Sequence, residues 1–243
     1  MAPLARHLAT GRGILEPIQT AISLEGQVEE LKETLEKHGN PPVTLIGFSW
    51  GAWLSLVVAA RYPALIEKLL LVGTGPFEEK YAMPLHDTRL QRLNKQEKAE
   101  FGSIVRSLED PAVTNKDRWL SRLGTLALKT DTFDPIKAER EERDSVESRA
   151  DIYQGVWKEA AELRRSGKLL GLAKSIQCPV VAIHGDYDPH PAGGVQKPLA
   201  AGVRDFRFIL LKNCGHRPWT ERQASDIFYD ILENELPDTR LFH

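Results

Sequence analysis

The chain has 243 residues, 42% of them hydrophobic and 27% charged, which excludes the fibrous, collagen-like and disordered classes. At 27.3 kDa, surface scaling lets about 72% of the extended chain's surface be buried, enough for one domain or one domain with a sizeable insertion. With 32 Lys+Arg against 34 Asp+Glu the net charge is -2, so nothing electrostatic favours nucleic acid or an anionic membrane; the expected partner is a small molecule or another protein.

From the N-terminus, Arg6, His7 and Arg12 interrupt the short apolar stretches that an export signal would need to be continuous. Gly13 to Ile18 is an apolar run of strand length. Leu24, Val28, Leu31 and Leu35 make one helical face after Ser23, a suitable N-cap, and His38-Gly39-Asn40 ends that helix. Gly39 to Ala60 carries no charge over 22 residues, long enough for a membrane span. Pro41, Pro42, Gly47 and Gly51 break it, however, and its periodicity changes midway, so it reads as a buried strand, Val43 to Phe48, followed by a buried helix through Trp53, Leu56, Val57 and Ala60. Further strand-length runs occur at Leu69 to Gly73, Pro179 to His184 and Phe206 to Leu211, and Ala224, Ile227, Phe228, Ile231 and Leu232 stripe a last helix. Strands alternating with helices predict an α/β fold, a mostly parallel sheet covered by helices.

The segment from Phe77 to Gln177 departs from that pattern. It has 37 charged residues in 101, against 29 in the remaining 142, and amphipathic runs such as Ile152, Val156, Trp157 and Ala160 in place of strands, which predicts a helical insertion. The predicted organisation is a core of residues 1–76 and 178–243 and a helical cap of residues 77–177. Glu139 to Asp144 reads as a solvated helix face.

Strand Val43 to Phe48 runs into Gly47-Phe48-Ser49-Trp50-Gly51, with a helix following at once. In that setting a G-x-S-x-G sequence turns sharply and holds the serine hydroxyl clear of the sheet above a helix N-terminus. A serine nucleophile needs a base and an acid to orient it. Gly185-Asp186-Tyr187-Asp188 follows one strand and Gly215-His216-Arg217-Pro218 another, both at the strand ends where open parallel sheets place their ligands.

These three motifs, in this order, resemble the α/β-hydrolase family over nearly the whole chain, with an elbow similar to that of prolyl iminopeptidases and esterase-like members. The resemblance implies that Ser49 is the nucleophile, His216 the general base, Asp188 its orienting acid and the Trp50 N–H an oxyanion donor. It implies a serine hydrolase cleaving an ester, thioester or amide of a small-molecule substrate through an acyl-enzyme, with no cofactor, no metal, no nucleic acid and no membrane as partner. Alternatives are an aminopeptidase of the prolyl iminopeptidase type, for which Glu78, Glu79, Glu159 and Glu162 offer acidic groups, and a non-catalytic binding protein on the same scaffold. Trp119, Tyr153 and Trp157 of the insertion are expected to reach the substrate.

Asp186 is the competing acid, and Glu78 a remoter one. His184, Asp186, Asp188 and His190 alternate, which on an extended chain would align metal ligands, but His184 closes a buried strand and Pro189 and Pro191 interrupt the alternation. Cys178 and Cys214 fall too far apart in a parallel sheet to pair, and two free thiols point to a reducing, cytoplasmic compartment. By the same resemblance, Met1 to Ala9 matches the family's first helix and Gly13 to Ile18 its following strand. About three strands and a second oxyanion loop would precede Met1, and one absent strand would lie between Gly13 to Ile18 and Val43 to Phe48. The chain is therefore expected to be an N-terminally shortened form, weakly active or marginally stable; the rival is a sheet in which those two strands pair directly.

Overall fold

The computed structural model describes residues 1–136 and 149–237. Glu139 to Asp144, read above as a helix face, lies outside them. In chain order the elements are α1 (Ala2–Leu8), α2 (Leu24–His38), β1 (Val43–Phe48), α3 (Trp50–Arg61), β2 (Ile66–Val72), α4 (Glu79–Ala82), α5 (Pro84–Gln91), α6 (Lys95–Glu109), α7 (Asp117–Asp131), α8 (Ala150–Arg165), α9 (Lys168–Ala173), β3 (Val180–Gly185), α10 (Gly193–Gly202), β4 (Phe206–Leu211) and α11 (Ser225–Glu235).

The four strands form one parallel sheet in the order β1-β2-β3-β4. Because side chains alternate along a strand, an uninterrupted apolar run feeds both faces. Leu69 and Leu71 of β2 and Val180 and Ala182 of β3 join one core with α2, α3, α9 and α10. Leu70, Val72, Val181 and Ile183 join a second core with α1 and α11. The Ser23 side chain accepts from the Gly26 N–H at 3.1 Å and caps α2, whose buried Leu24, Val28, Leu31 and Leu35 recur at helical spacing. Within the insertion, Phe101, Ile104, Leu108 and Leu126 make a smaller core between α6 and α7, whereas Leu169, Ala173 and Ile176 pack into the sheet-side core. Among the described residues no helix is long and apolar enough to cross a membrane.

One expectation fails. Gly13 to Ile18 is not a strand and does not pair with β1; Ile14, Leu15 and Ile18 are exposed. A strand exists only by pairing, and this segment is held instead by the Glu16 side chain and by residues on its flanks. Arg12 binds Glu233 and the Pro237 carbonyl, and Glu16 pairs with the chain's amino terminus. Thr20 donates from its backbone and hydroxyl to Glu30 of α2. The run crosses the surface without regular secondary structure, leaving β1 at the sheet's edge with no strand on its outer side among the described residues.

Candidate active site

Ser49 caps α3 in a conformation that non-glycine residues rarely adopt, φ 54° and ψ -116°. The Ser49 N–H donates to the Val72 carbonyl at 3.0 Å, extending the β1-β2 ladder by one step before the chain turns. The turn is tight enough that a Cβ on Gly47 would lie 2.4 Å from the Gly51 carbonyl oxygen and 2.6 Å from the Ala52 Cα, so that position must be glycine. Gly51 has open space around it; of the two elbow glycines, only the first is demanded by crowding. Trp50 follows in the first turn of α3, where backbone N–H groups have no intrahelical acceptor and the helix dipole favours negative charge.

The loop after β4 carries His216 to the same end of the sheet. A Cβ on Gly73, itself at φ 52°, would sit 2.7 Å from the His216 carbonyl oxygen and 3.1 Å from its Nδ1, so the glycine ending β2 lets the imidazole approach. The ring of Phe48, next to Ser49 in the chain, lies 4.8 Å from that of His216. His216 Nδ1 donates to Asp188 Oδ2 at 2.7 Å, which fixes the tautomer and leaves Nε2 as the basic nitrogen. Asp186 points elsewhere: its carboxylate accepts from the Cys214 N–H at 3.3 Å and lies 3.7 Å from Lys212 Nζ.

Asp188 is buried with three histidines around it. His190 donates to Oδ1 twice, from its backbone at 2.9 Å and from its Nδ1 at 2.8 Å, and His184 Nε2 stands 3.7 Å from Oδ2. Burial alone would push the Asp188 carboxyl up; His216 first, then His190 and His184, hold it well below the usual carboxylate range. Asp188, His190 and His216 are close enough to bracket a metal ion, but the Nδ1 atoms of both histidines donate to the carboxylate, which makes a hydrogen-bonded chain and not an open ligand set. Burial, helped by the negative charges of Glu221, Asp188 and Asp186, pushes the pKa of the Cys214 thiol up, which disfavours the thiolate.

The insertion reaches this end of the sheet in two places. Tyr153 and Trp157, one helical turn apart on α8, stack with ring centroids 6.2 Å apart and planes 8° apart; Trp157 stacks on Trp53 of α3 at 6.0 Å and 2°, and Trp53 meets Trp50 edge-on at 6.5 Å. Tyr153 and Trp157 keep 38% and 36% of their surface exposed. Trp119 does not join this ladder; it packs against the α6-α7 core with the Arg118 guanidinium over its ring. The second place is the end of α7. Glu221, wholly buried, accepts from the backbone N–H groups of Gly215, Phe133 and Asp134, tying the chain after α7 to the His216 loop.

The family model described as "Alpha/beta hydrolase family" matches residues 7–230. The chain belongs to the alpha/beta hydrolase family. Among solved structures, this hydrolase-family chain is similar to an alpha/beta fold family hydrolase from Bacillus anthracis str. Sterne, at 16% identity over 88% of this chain and 74% of that one, with a TM-score of 0.64. It is also similar to an esterase from Exiguobacterium antarcticum, at 16% identity over 93% and 78%, TM-score 0.59. A proline iminopeptidase from Mycobacterium smegmatis matches at 16% identity over 93% and 76%, TM-score 0.56. No curated protein matches the sequence. At these identities the structural likeness establishes the fold.

His190 and Glu221 are the residues that sequence reasoning missed. His190 entered it only as a link in an alternating run, and the signal was there: a histidine two residues past the acid, locked between Pro189 and Pro191. Glu221 had no local signal, since two of the N–H groups it accepts from lie 87 and 88 residues earlier in the chain.

Proposed function

We propose that this chain is an esterase-like serine hydrolase that cleaves a small-molecule ester or thioester through an acyl-enzyme. The observation that carries the reading is the 2.7 Å hydrogen bond from His216 Nδ1 to Asp188 at the sheet end where Ser49 stands in a strained elbow. In this mechanism Ser49 Oγ attacks the substrate carbonyl carbon while His216 Nε2 takes the hydroxyl proton. The resulting imidazolium is stabilised by Asp188, which stays ionised. The carbonyl oxygen gains the negative charge and accepts from the Trp50 N–H, aided by the N-terminal end of α3. His216 then returns its proton to the leaving oxygen or sulfur, and water, deprotonated by the same nitrogen, releases the acid and restores Ser49. Residues 77–177 act as the cap, and the exposed faces of Tyr153 and Trp157 are the surface it offers to the substrate.

The aminopeptidase reading needs free carboxylates for an amino group. All four candidates are engaged: Glu78 with Lys80, Glu79 with Arg164, Glu162 with Arg165 and Glu159 with the Leu24 N–H. That favours an uncharged substrate. A fluorophosphonate probe, together with nitrophenyl esters of increasing acyl length and aminoacyl nitroanilides, tests both points. The expected result is covalent labelling of Ser49, absent in Ser49→Ala, with turnover of esters and not of anilides. Asp188→Asn should lower kcat by about 10³ to 10⁴ with little change in KM, and Asp186→Asn by only a few-fold. No labelling of the wild type where a control hydrolase is labelled would leave the non-catalytic binding protein as the better account.

A further inference from the structure

His184 and His190 have no part in that mechanism, yet both are buried beside its acid. A carboxylate held at one oxygen can rotate about its Cβ–Cγ bond and lose its partner. Asp188 is gripped at both. Oδ2 accepts from His216, while Oδ1 accepts from the backbone and the ring of His190. His190 is fixed in turn by His184, whose Nε2 donates to its carbonyl oxygen at 2.8 Å. A continuous path therefore runs from β3 through His184, His190 and Asp188 to His216, with the His190 and His216 rings 4.9 Å apart.

We infer that His190 is a positioning residue: its ring N–H, donating to Oδ1, keeps the other oxygen of the Asp188 carboxylate aligned on His216. The inference rests on the serine hydrolase reading for its catalytic meaning but not for its electrostatics. An ionised carboxylate can only accept, so the hydrogen bond at Oδ1 requires a proton on His190 Nδ1. Burial lowers the pKa of His190, opposed by Asp188 and its hydrogen bond and reinforced by His216 and by Arg89 of α5; the ring therefore stays neutral, with its lone pair on Nε2. A neutral donor stabilises Asp188 without adding a second cation beside His216 when that ring is protonated during turnover. Asp188, His216 and Arg89 are the titratable or charged groups acting on His190, and His184 holds its backbone.

Asparagine and leucine have nearly the same shape, but only asparagine places an N–H donor at the δ position, so His190→Asn and His190→Leu separate donation from packing. Nitrogen-15 histidine NMR of the wild type should show His190 in the neutral Nδ1–H form at pH 7. The downfield proton of the His216 Nδ1–H, which reports its hydrogen bond to Asp188, should be retained in His190→Asn and broadened or moved upfield in His190→Leu, where the carboxylate is free to turn. In ester turnover, His190→Leu should lose about tenfold in kcat at unchanged KM, and His190→Asn much less. An Nε2–H tautomer in the wild type, or the same His216 Nδ1–H signal in the two variants, overturns the inference. Failure of Ser49 to label would sink the hydrolase reading alone, because the tautomer and the proton signal are read without turnover.

Discussion

The backbone N–H of His216 donates to the carbonyl of Asp131 at 2.7 Å. Asp131 ends α7, and its carboxylate is held by the Arg89 guanidinium, so the loop bearing His216 is hung from α7 as well as from the sheet. Glu221 closes the same seam. Replacing it by Ala would orphan three backbone N–H groups, and at roughly 1 to 3 kcal/mol for each buried unsatisfied group the expected loss is at least about 3 kcal/mol. Urea unfolding of Glu221→Ala beside Glu221→Gln, which keeps one acceptor oxygen, checks this; the glutamine variant should lose less.

The backbone of Ser49 stores strain that a smaller residue would release. At φ 54° and ψ -116° a residue with a Cβ costs about 1 to 3 kcal/mol, a cost that glycine largely escapes. Ser49→Gly should therefore melt at a higher temperature than Ser49→Ala, by the equivalent of about 1 kcal/mol. Neither variant has the hydroxyl on which the proposed mechanism depends, so neither should react with a fluorophosphonate.

Tyr153 and Trp157 are half-exposed, whereas Trp119 lies against a core. Truncating Trp157 to Ala removes an aromatic face worth about 0.5 to 1.5 kcal/mol to a bound apolar group, which should raise KM for aryl or long-chain esters by about three- to tenfold and spare acetyl esters. Trp119→Ala should instead lower stability by about 2 kcal/mol or more with KM unchanged. Steady-state kinetics paired with thermal melts distinguish the two residues.

Stability should fall in acid in two separate windows. The folded pKa of His190 lies below its unfolded value, so as pH drops below about 6.5 the unfolded chain takes up a proton that the folded one refuses, and stability is lost. The pKa of Asp188 is also depressed; its contribution is complete above about pH 3.9 and disappears as pH falls further toward the folded value. His190→Asn removes the first window and leaves the second. Melting temperatures between pH 7.5 and 3 should show a shallower decline from 7 to 5 in that variant.

The sheet was legible because its signals are local. Apolar runs of strand length mark β1 to β4 and a serine before Leu24 marks the start of α2; the motifs holding Ser49, Asp188 and His216 stand at strand ends, and the roles proposed for them came from the family resemblance, with Asp186 as the rival acid. Gly13 to Ile18 misled because Ile14, Leu15 and Ile18 were weighed above Glu16 and Pro17, which disfavour a strand, and because strand formation depends on a neighbour that the segment itself cannot specify. The stitching of Asp131 to His216 and of Phe133 to Glu221 was hidden for the same reason, being made by backbone groups brought together only in the folded chain.

The elbow is carried by an edge strand of the sheet. β1 and β4 are each hydrogen-bonded on one side only among the described residues, while β2 and β3 lie between two neighbours. The sheet therefore frays from its two edges, one of which leads into Ser49: amides of β1 and β4 would exchange with solvent through partial opening before the global transition that exposes β3. Under the proposed mechanism, heating would then silence the Ser49 hydroxyl while the middle of the sheet was still paired.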